Sequence, residues 1–258
     1  MKITVLGSGS AYGMPTMFNM WGNADASNPQ NRRTRASVLL EDEGRSILID
    51  AGPEVRLQIN GNNVSNLDAV FITHSHYDHI GGIPELPRAA KNLCHPIEIF
   101  AAADTMQELR RCYNFLFEDG KDVEPEKQNL RWSVLPNSGK FSAVGLEFET
   151  LLFPHHHIFS SAFRYQNFAY VTDWQEFPEG CDEFLCDLEL LIVECNNGVD
   201  TETQNGHANI AKILQIKEKF QPRHIVLTHL STRADDVALR QVLPDNCTLA
   251  YDGMIWQL

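Results

Sequence analysis

Residues 69–82 read AVFITHSHYDHIGG, an apolar run followed at once by a dense set of metal-ligand side chains. His74, His76, Asp78 and His79 fall within six positions. In extended backbone residues i and i+2 point the same way, so His74 and His76 can grip one ion together. A helix starting near Asp78 would offer Asp78 and His79 to a second ion. Gly81 and Gly82 leave room for close backbone approach, and mixed imidazole and carboxylate ligation suits Zn, Mn or Fe. The competing reading, a polar turn capped by Asp78, agrees less well with ligand type and spacing.

The rest of the chain must supply a frame that ends at this loop. Short apolar runs recur throughout: KITVL, ASVLL, SILID, AVFIT, IEIFA, LEFETLLF, FAYVT, LELLIVE, HIVLTH and TLAYDGMIW. Their length, their Val, Ile and Phe content and their Gly, Asn, Asp and Pro boundaries make them strands. Helical patterns are fewer, at 53–60, 83–92, 104–117, 207–219 and 234–243. Many strands with interspersed helices imply an α/β fold with two sheets inside and helices outside, a four-layer αββα sandwich. At 258 residues one domain spanning 1–258 is expected. The polar stretch 118–140 reads as a surface link between two halves.

Composition excludes several classes. A formal charge of −13 disfavours a general nucleic-acid binder. NRRTR at 31–35 is the one short basic cluster. The first ten residues lack the apolar core of a secretory signal and the longest aliphatic run, LLIV at 190–193, is far too short to span a bilayer. Six cysteines without a C-x-x-C pair suit reduced, packed thiols. A cytoplasmic location without membrane association is expected.

With His74, His76, Asp78 and His79 in the pattern H-x-H-x-D-H, the chain resembles the metallo-β-lactamase-fold hydrolases. The resemblance implies that Asp50 in ILIDAG supports the metal loop, that Asp173 in FAYVTDW bridges two ions and that His229 in HIVLTHLS completes the second ion's set. The remaining ligand belongs in FPHHHIFSSAFRY, residues 153–165. Counting back from Ala162-Phe163 gives His156, and counting forward from the preceding strand gives His155. If the segment is extended, His155 and His157 share one face and His156 the other. His156 is the first choice, His155 the second, with His157 near the substrate. The implied cofactors are two divalent ions, Zn or Mn. Ions roughly 3.5 to 4 Å apart can hold a bridging hydroxide and stabilise entering and leaving oxygens, so the reaction class is hydrolysis.

Further segments narrow the resemblance to the PhnP type, the cyclic phosphodiesterases: NPQNRRTRAS at 28–37, LIVEC at 191–195, NGHANI at 205–210 and DGM at 252–254. It implies a small, cyclic phosphodiester substrate, with His207, at a helix start, donating a proton to the leaving alkoxide or holding a phosphoryl oxygen, and Arg32 and Arg33 touching phosphate. One departure stands out. PhnP-type members hold a structural zinc through early cysteines and a histidine three residues beyond the last ligand. No cysteine precedes Cys94 here, and Thr232 occupies that later position. The 12–27 loop is then left to order itself through Met14, Phe18, Met20 and Trp21, or stays mobile. Three other readings compete: a tRNA 3′-processing nuclease, a thioester hydrolase and a non-catalytic cofactor-pathway carrier. Between Asp173 and His229 only Lys212, Lys217, Lys219 and Arg223 are basic, which argues against a tRNA-clasping arm. The expected partner is a small phosphodiester, and assembly beyond a monomer would be a homodimer.

Overall fold

The computed structural model describes residues 1–117, 129–199 and 206–258. The apolar runs form strands, as their residue types require: β1 (Lys2–Gly7), β2 (Ser37–Asp42), β3 (Arg45–Ile49), β4 (Ala69–Ile72), β5 (Ile97–Ala102), β6 (Leu130–Leu135), β7 (Ser138–Ala143), β8 (Leu146–His155), β9 (Ile158–Tyr165), β10 (Phe168–Val171), β11 (Leu190–Glu194), β12 (His224–Thr228), β13 (Cys247–Leu249) and β14 (Met254–Gln257). They pair into two seven-stranded sheets, β14-β1-β2-β3-β4-β5-β6 and β13-β12-β11-β10-β9-β8-β7. In each sheet the strands from the middle to one edge run parallel, β3 to β6 and β10 to β13. Such strands are covered on both faces, which is why LLIV and AVFI read as unbroken apolar runs.

Seven α-helices occupy the described residues: α1 (Val55–Gly61), α2 (Tyr77–Ile80), α3 (Leu86–Leu93), α4 (Ala103–Cys112), α5 (Cys181–Phe184), α6 (Ile210–Phe220) and α7 (Asp236–Arg240). Strand alternation sorts the side chains into layers. From β11, Leu190 and Ile192 enter the core between the sheets, where Phe71 meets the rings of Phe100 and Phe148 at 5.3 and 4.9 Å. Leu191 and Val193 point the other way, into a core shared with α5, α6 and α7. A third core packs Leu48, Val70 and Ile99 against α1, α3 and α4. The chain is therefore an αββα sandwich, the architecture its sequence implies. None of the described helices is long and apolar enough to cross a membrane.

Three local expectations are corrected. The run TLAYDGMIW is two strands in different sheets, separated at Gly253 (φ +88°), where the Met254 N–H donates to Tyr251 O at 3.0 Å. In the stretch expected to be a surface link, Leu130–Leu135 and Ser138–Ala143 are edge strands whose largely solvent-facing side chains hide the strand pattern, while 118–128 lie outside the described residues. In the 12–27 loop Met14 is buried, but Phe18 is 91% and Met20 61% exposed. Polar stitching orders this loop instead. Asn23 N donates to Thr232 O at 2.9 Å, Asp25 N and Asn31 Nδ2 both donate to Asp235 Oδ2 at 3.0 Å, and a Cβ at Gly22 would stand 2.7 Å from Thr232. Backbone and carboxylate contacts at 232–235 thus do the work that the resemblance gives to a structural zinc.

The DGM segment has a similar stapling role. The Asp252 carboxylate accepts from the Ser8 N–H and hydroxyl at 2.9 and 2.8 Å and from the Thr34 N–H and hydroxyl, both at 2.7 Å, joining the end of β1 to the loop before β2. Removing it strands four donors in a largely buried place. Asp252→Ala is expected to lower stability by about 3 kcal/mol in urea unfolding, with Asp252→Asn losing less.

Candidate metal centre

The site is built where strands of both sheets end at one rim. After β3, Asp50 leaves the sheet with φ +63° and its carboxylate is wholly buried. It accepts from Thr73 N–H at 2.8 Å, from the Thr73 hydroxyl at 2.9 and 3.0 Å, and from His79 Nδ1 at 2.6 Å. The loop after β4 is thereby tied to the end of β3. Their backbones also touch: Ala51 N–H donates to His79 O at 2.9 Å and Gly82 N–H to Ala51 O at 2.8 Å. A Cβ at Gly82 would sit 2.2 Å from Gly52 O, so a glycine is required there.

Around this support the expected ligands converge. Ligand atoms of His74, His76 and His155 lie within 4.8 Å of one another, and so do those of Asp78, His79 and His229. Asp173, at φ +53° just beyond β10, lies between them. Its Oδ2 is 3.3 Å from His79 Nε2 and 3.5 Å from His229 Nε2, and its Oδ1 is 3.6 Å from His155 Nε2. Asp78 Oδ2 stands 3.1 Å from His79 Nε2 and 3.2 Å from His229 Nε2. Of this group His76, Asp78, His155, Asp173 and His229 line a cleft of about 520 Å³, with Tyr12, Tyr77, Asn196, His207 and Arg233.

Electrostatics separate the two halves. Burial pushes the His155 imidazole down to about 4 and His74 well below its usual range, so both are neutral and have lone pairs to offer. Burial also opposes charge on His79 and His229, but Asp78 and Asp50 outweigh it at His79 and hold that ring well above its usual value. Asp173 and Asp78 likewise hold His229 up at about 10. Conversely, His79 and His229 keep Asp78 and Asp173 ionised far below the usual carboxylate range despite burial. Protons on His79 and His229 are what a cation would displace.

The residues fit such a cation. Both ring nitrogens of His155 and Nε2 of His79 are buried without a hydrogen-bond partner, beside ionised carboxylates. Asp50 takes Nδ1 of His79, which directs Nε2 to the centre, the usual outer support of a ligating histidine. His74, His76 and His155 would hold one ion and Asp78, His79 and His229 a second, with Asp173 reaching both.

Of the histidine triplet, His155 is the member whose ligand atoms come together with those of His74 and His76, while His156 groups with His155 and His207. In β8, Leu151, Phe153 and His155 alternate inward, and His155 pairs with Ile158 of β9, so the segment is a hairpin tip and not continuous extended chain. His156, the first choice from sequence, occupies the turn at φ +52° and is exposed. Its N–H donates to Gln175 Oε1 at 2.6 Å, and its ring lies against Gly206, where an added Cβ would stand 3.0 Å from it. It props the segment before His207. His157, exposed at the same turn, faces a neighbouring cleft with Ser75, Asp104 and Phe159.

The two arginines are also reassigned. Arg33 is buried, donating to Ala234 O at 2.8 Å and Asn31 Oδ1 at 3.1 Å, and desolvation draws its guanidinium down to about 10. Arg32 lies over the Trp21 ring at 4.9 Å. Both hold the 12–35 region together, and neither lines the cleft; Arg233 does. His207 lines it as expected but precedes α6, whose N-cap is Asn209. It is held by Glu194, with Nδ1 at 3.0 Å from Oε2. The other Glu194 oxygen accepts from Ala208 N–H at 2.6 Å. Burial opposes charge on the ring, but the hydrogen bond and charge of Glu194 together with the charge of Asp173 outweigh it and raise the His207 pKa. Glu194 stood in the sequence only as the acid of LIVEC and was given no role there; the fold makes it the partner of His207. Asn205, the first residue of NGHANI, lies outside the described residues.

A model of the beta-lactamase superfamily domain matches residues 45–230. The chain belongs to this family and has the metallo-β-lactamase fold. This superfamily member is 26% identical to an octanoyltransferase of Porphyromonas gingivalis over 98% of its own length and 51% of the relative's. It therefore spans about half of that protein. It is 24% identical to a ribonuclease Z of Clostridium tetani over 91% of its length and 89% of the relative's. Among solved structures it superposes on a diphosphatase from the PhnP family with a TM-score of 0.86, at 24% identity, covering 100% of this chain and 97% of that one.

The reassignment within the triplet is directly testable. His155→Ala should weaken one equivalent of Zn or Mn binding in calorimetry by about tenfold or more, the scale of changes even one layer outside a metal. His156→Ala should leave both equivalents nearly intact.

Proposed function

We propose that the protein is a dinuclear metal-dependent phosphodiesterase acting on a small, cyclic phosphodiester. The observation that carries this reading is the His207–Glu194 pair, placed in the same cleft as the two ligand clusters and 3.5 Å from Asp173. Bound ions would favour attack by water and neutralise charge developing at phosphorus.

The chain's own groups do the rest. Glu194 occupies Nδ1 of His207 and fixes the ring, leaving Nε2 as the nitrogen for substrate. The raised pKa keeps a proton on His207 for the departing alkoxide. Asn196 Nδ2, 3.2 Å from His229 Nδ1, and the Ser231 hydroxyl, which donates to Asn196 O at 2.6 Å, hold the opposite wall. The net charge of −13 favours a small substrate over a long polyanion. All six cysteines are unpaired, in keeping with a reducing cytoplasm.

One observation favours a second reading. The octanoyltransferase relative matches nearly the whole chain, and thioester hydrolysis would use the same ligand clusters. Octanoyl thioester turnover separates the two.

With Zn or Mn restored, wild-type protein is expected to hydrolyse bis(p-nitrophenyl) phosphate. Asp78→Ala should abolish turnover. His207→Ala and Glu194→Gln should retain metal but lower kcat, by about 10²–10⁴-fold for His207 and less for Glu194. Two bound ions with thioester turnover and no diester turnover would move the assignment to the second reading.

A further inference from the structure

The cleft has a feature that metal binding and proton transfer leave unused. Two tyrosines line it with their side chains largely in solvent, Tyr12 at 75% and Tyr77 at 65% exposure. Exposed tyrosine is ordinary when isolated. These two share one cleft, and each is anchored beside a ligand group.

Tyr77 is the first residue of α2, between His76 and Asp78. Its carbonyl accepts from Gly81 N–H at 2.7 Å, and its ring lies back over Gly81, where an added Cβ would stand 2.8 Å from Cε2. Tyr12 sits in a turn closed by Gly13 N–H donating to Ser10 O at 2.8 Å. That turn is fixed on three sides. Ser10 N–H donates to Leu230 O at 3.1 Å, next to His229; Arg35 Nε donates to Ala11 O at 3.1 Å; and Met14 exchanges two backbone bonds with Arg33 at 2.8 and 2.9 Å.

An aromatic ring carried on a fixed backbone turn recognises a flat apolar face by stacking or edge contact. Asn196, Ser231, Thr232 and Arg233 add polar side chains to the lining. A substrate that fills this cleft therefore has an anionic reacting group and a planar apolar group. We propose that Tyr12 and Tyr77 form a specificity subsite for an aryl or heteroaryl substituent on the alcohol part of the phosphodiester. This rests on the phosphodiesterase reading for its reaction. In that reaction water forms a new P–O bond, the ring P–O bond breaks, and the alkoxide takes a proton.

The test compares ethane-1,2-diol cyclic phosphate with 1-phenylethane-1,2-diol cyclic phosphate, which share a reacting ring and differ by one phenyl. Wild-type metal-loaded protein is expected to prefer the phenyl substrate in kcat/KM by about tenfold or more, the scale of one stacking contact. Tyr12→Leu and Tyr77→Leu should each reduce that ratio several-fold, mainly through KM, and the double variant should bring it near unity. Tyr77→Phe should keep it. Equal kcat/KM for the two substrates in wild type, or a ratio unmoved by the leucine variants, overturns the subsite.

Calorimetric binding of phenyl phosphate against methyl phosphate gives an independent readout. If neither diester is turned over, the phosphodiesterase reading fails. The subsite still stands if phenyl phosphate binds more tightly and the advantage shrinks in both leucine variants. It falls if the two phosphates bind alike.

Discussion

The Asp50 carboxylate is the fixed point of the molecule's working end. It is wholly buried, and burial pushes its pKa up, with His79 offsetting part of that rise. An unpaired carboxylate in such a place would be severely destabilising. Here Thr73 and His79 surround it with donors, so the cost of burying it falls only when the loop after β4 takes one conformation. His74, His76, Asp78 and His79 are therefore presented by a loop whose shape is set before any ion arrives. That is the preorganisation a metal site needs.

The same logic extends across the sandwich. Asp50, Asp173 and His229 each leave a strand in the left-handed region, at φ +63°, +53° and +55°. Asp, Asn and His tolerate that region better than most residues. Two of these turns swing Asp173 and His229 into the cleft and the third turns Asp50 against Thr73 and His79 behind it, while apolar neighbours stay in the cores. Glu194 works differently. It stays in β11 and reaches both His207 and His229, with Oε2 at 3.0 and 3.6 Å, tying two walls of the cleft together.

Legibility in the sequence followed the range of the signal. The layers were readable because continuous apolar runs mark strands covered on both faces, and those runs are local. The cluster of His74, His76, Asp78 and His79 was readable for the same reason. His155 was not separable from His156, because the choice depends on where the hairpin turns, and three identical residues carry no pattern to mark it. Strand parity through Leu151 and Phe153 held the answer. Arg33 looked like a phosphate contact because its charge is visible in sequence, whereas its partners Ala234 and Asn31 are brought to it only by the fold. The strands β6 and β7 were missed because only Leu130, Leu135 and Ala143 in them are buried, too few to show the alternation that identifies a strand.

The central claim is that two clusters share Asp173 and that His155 belongs to the first. Crystals of protein loaded with Zn or Mn, measured by anomalous diffraction at the metal edge, test it most directly. The account predicts two anomalous peaks, one touching His74, His76 and His155, the other touching Asp78, His79 and His229, with Asp173 in contact with both. A single peak, or a first peak ligated by His156 in place of His155, would contradict it.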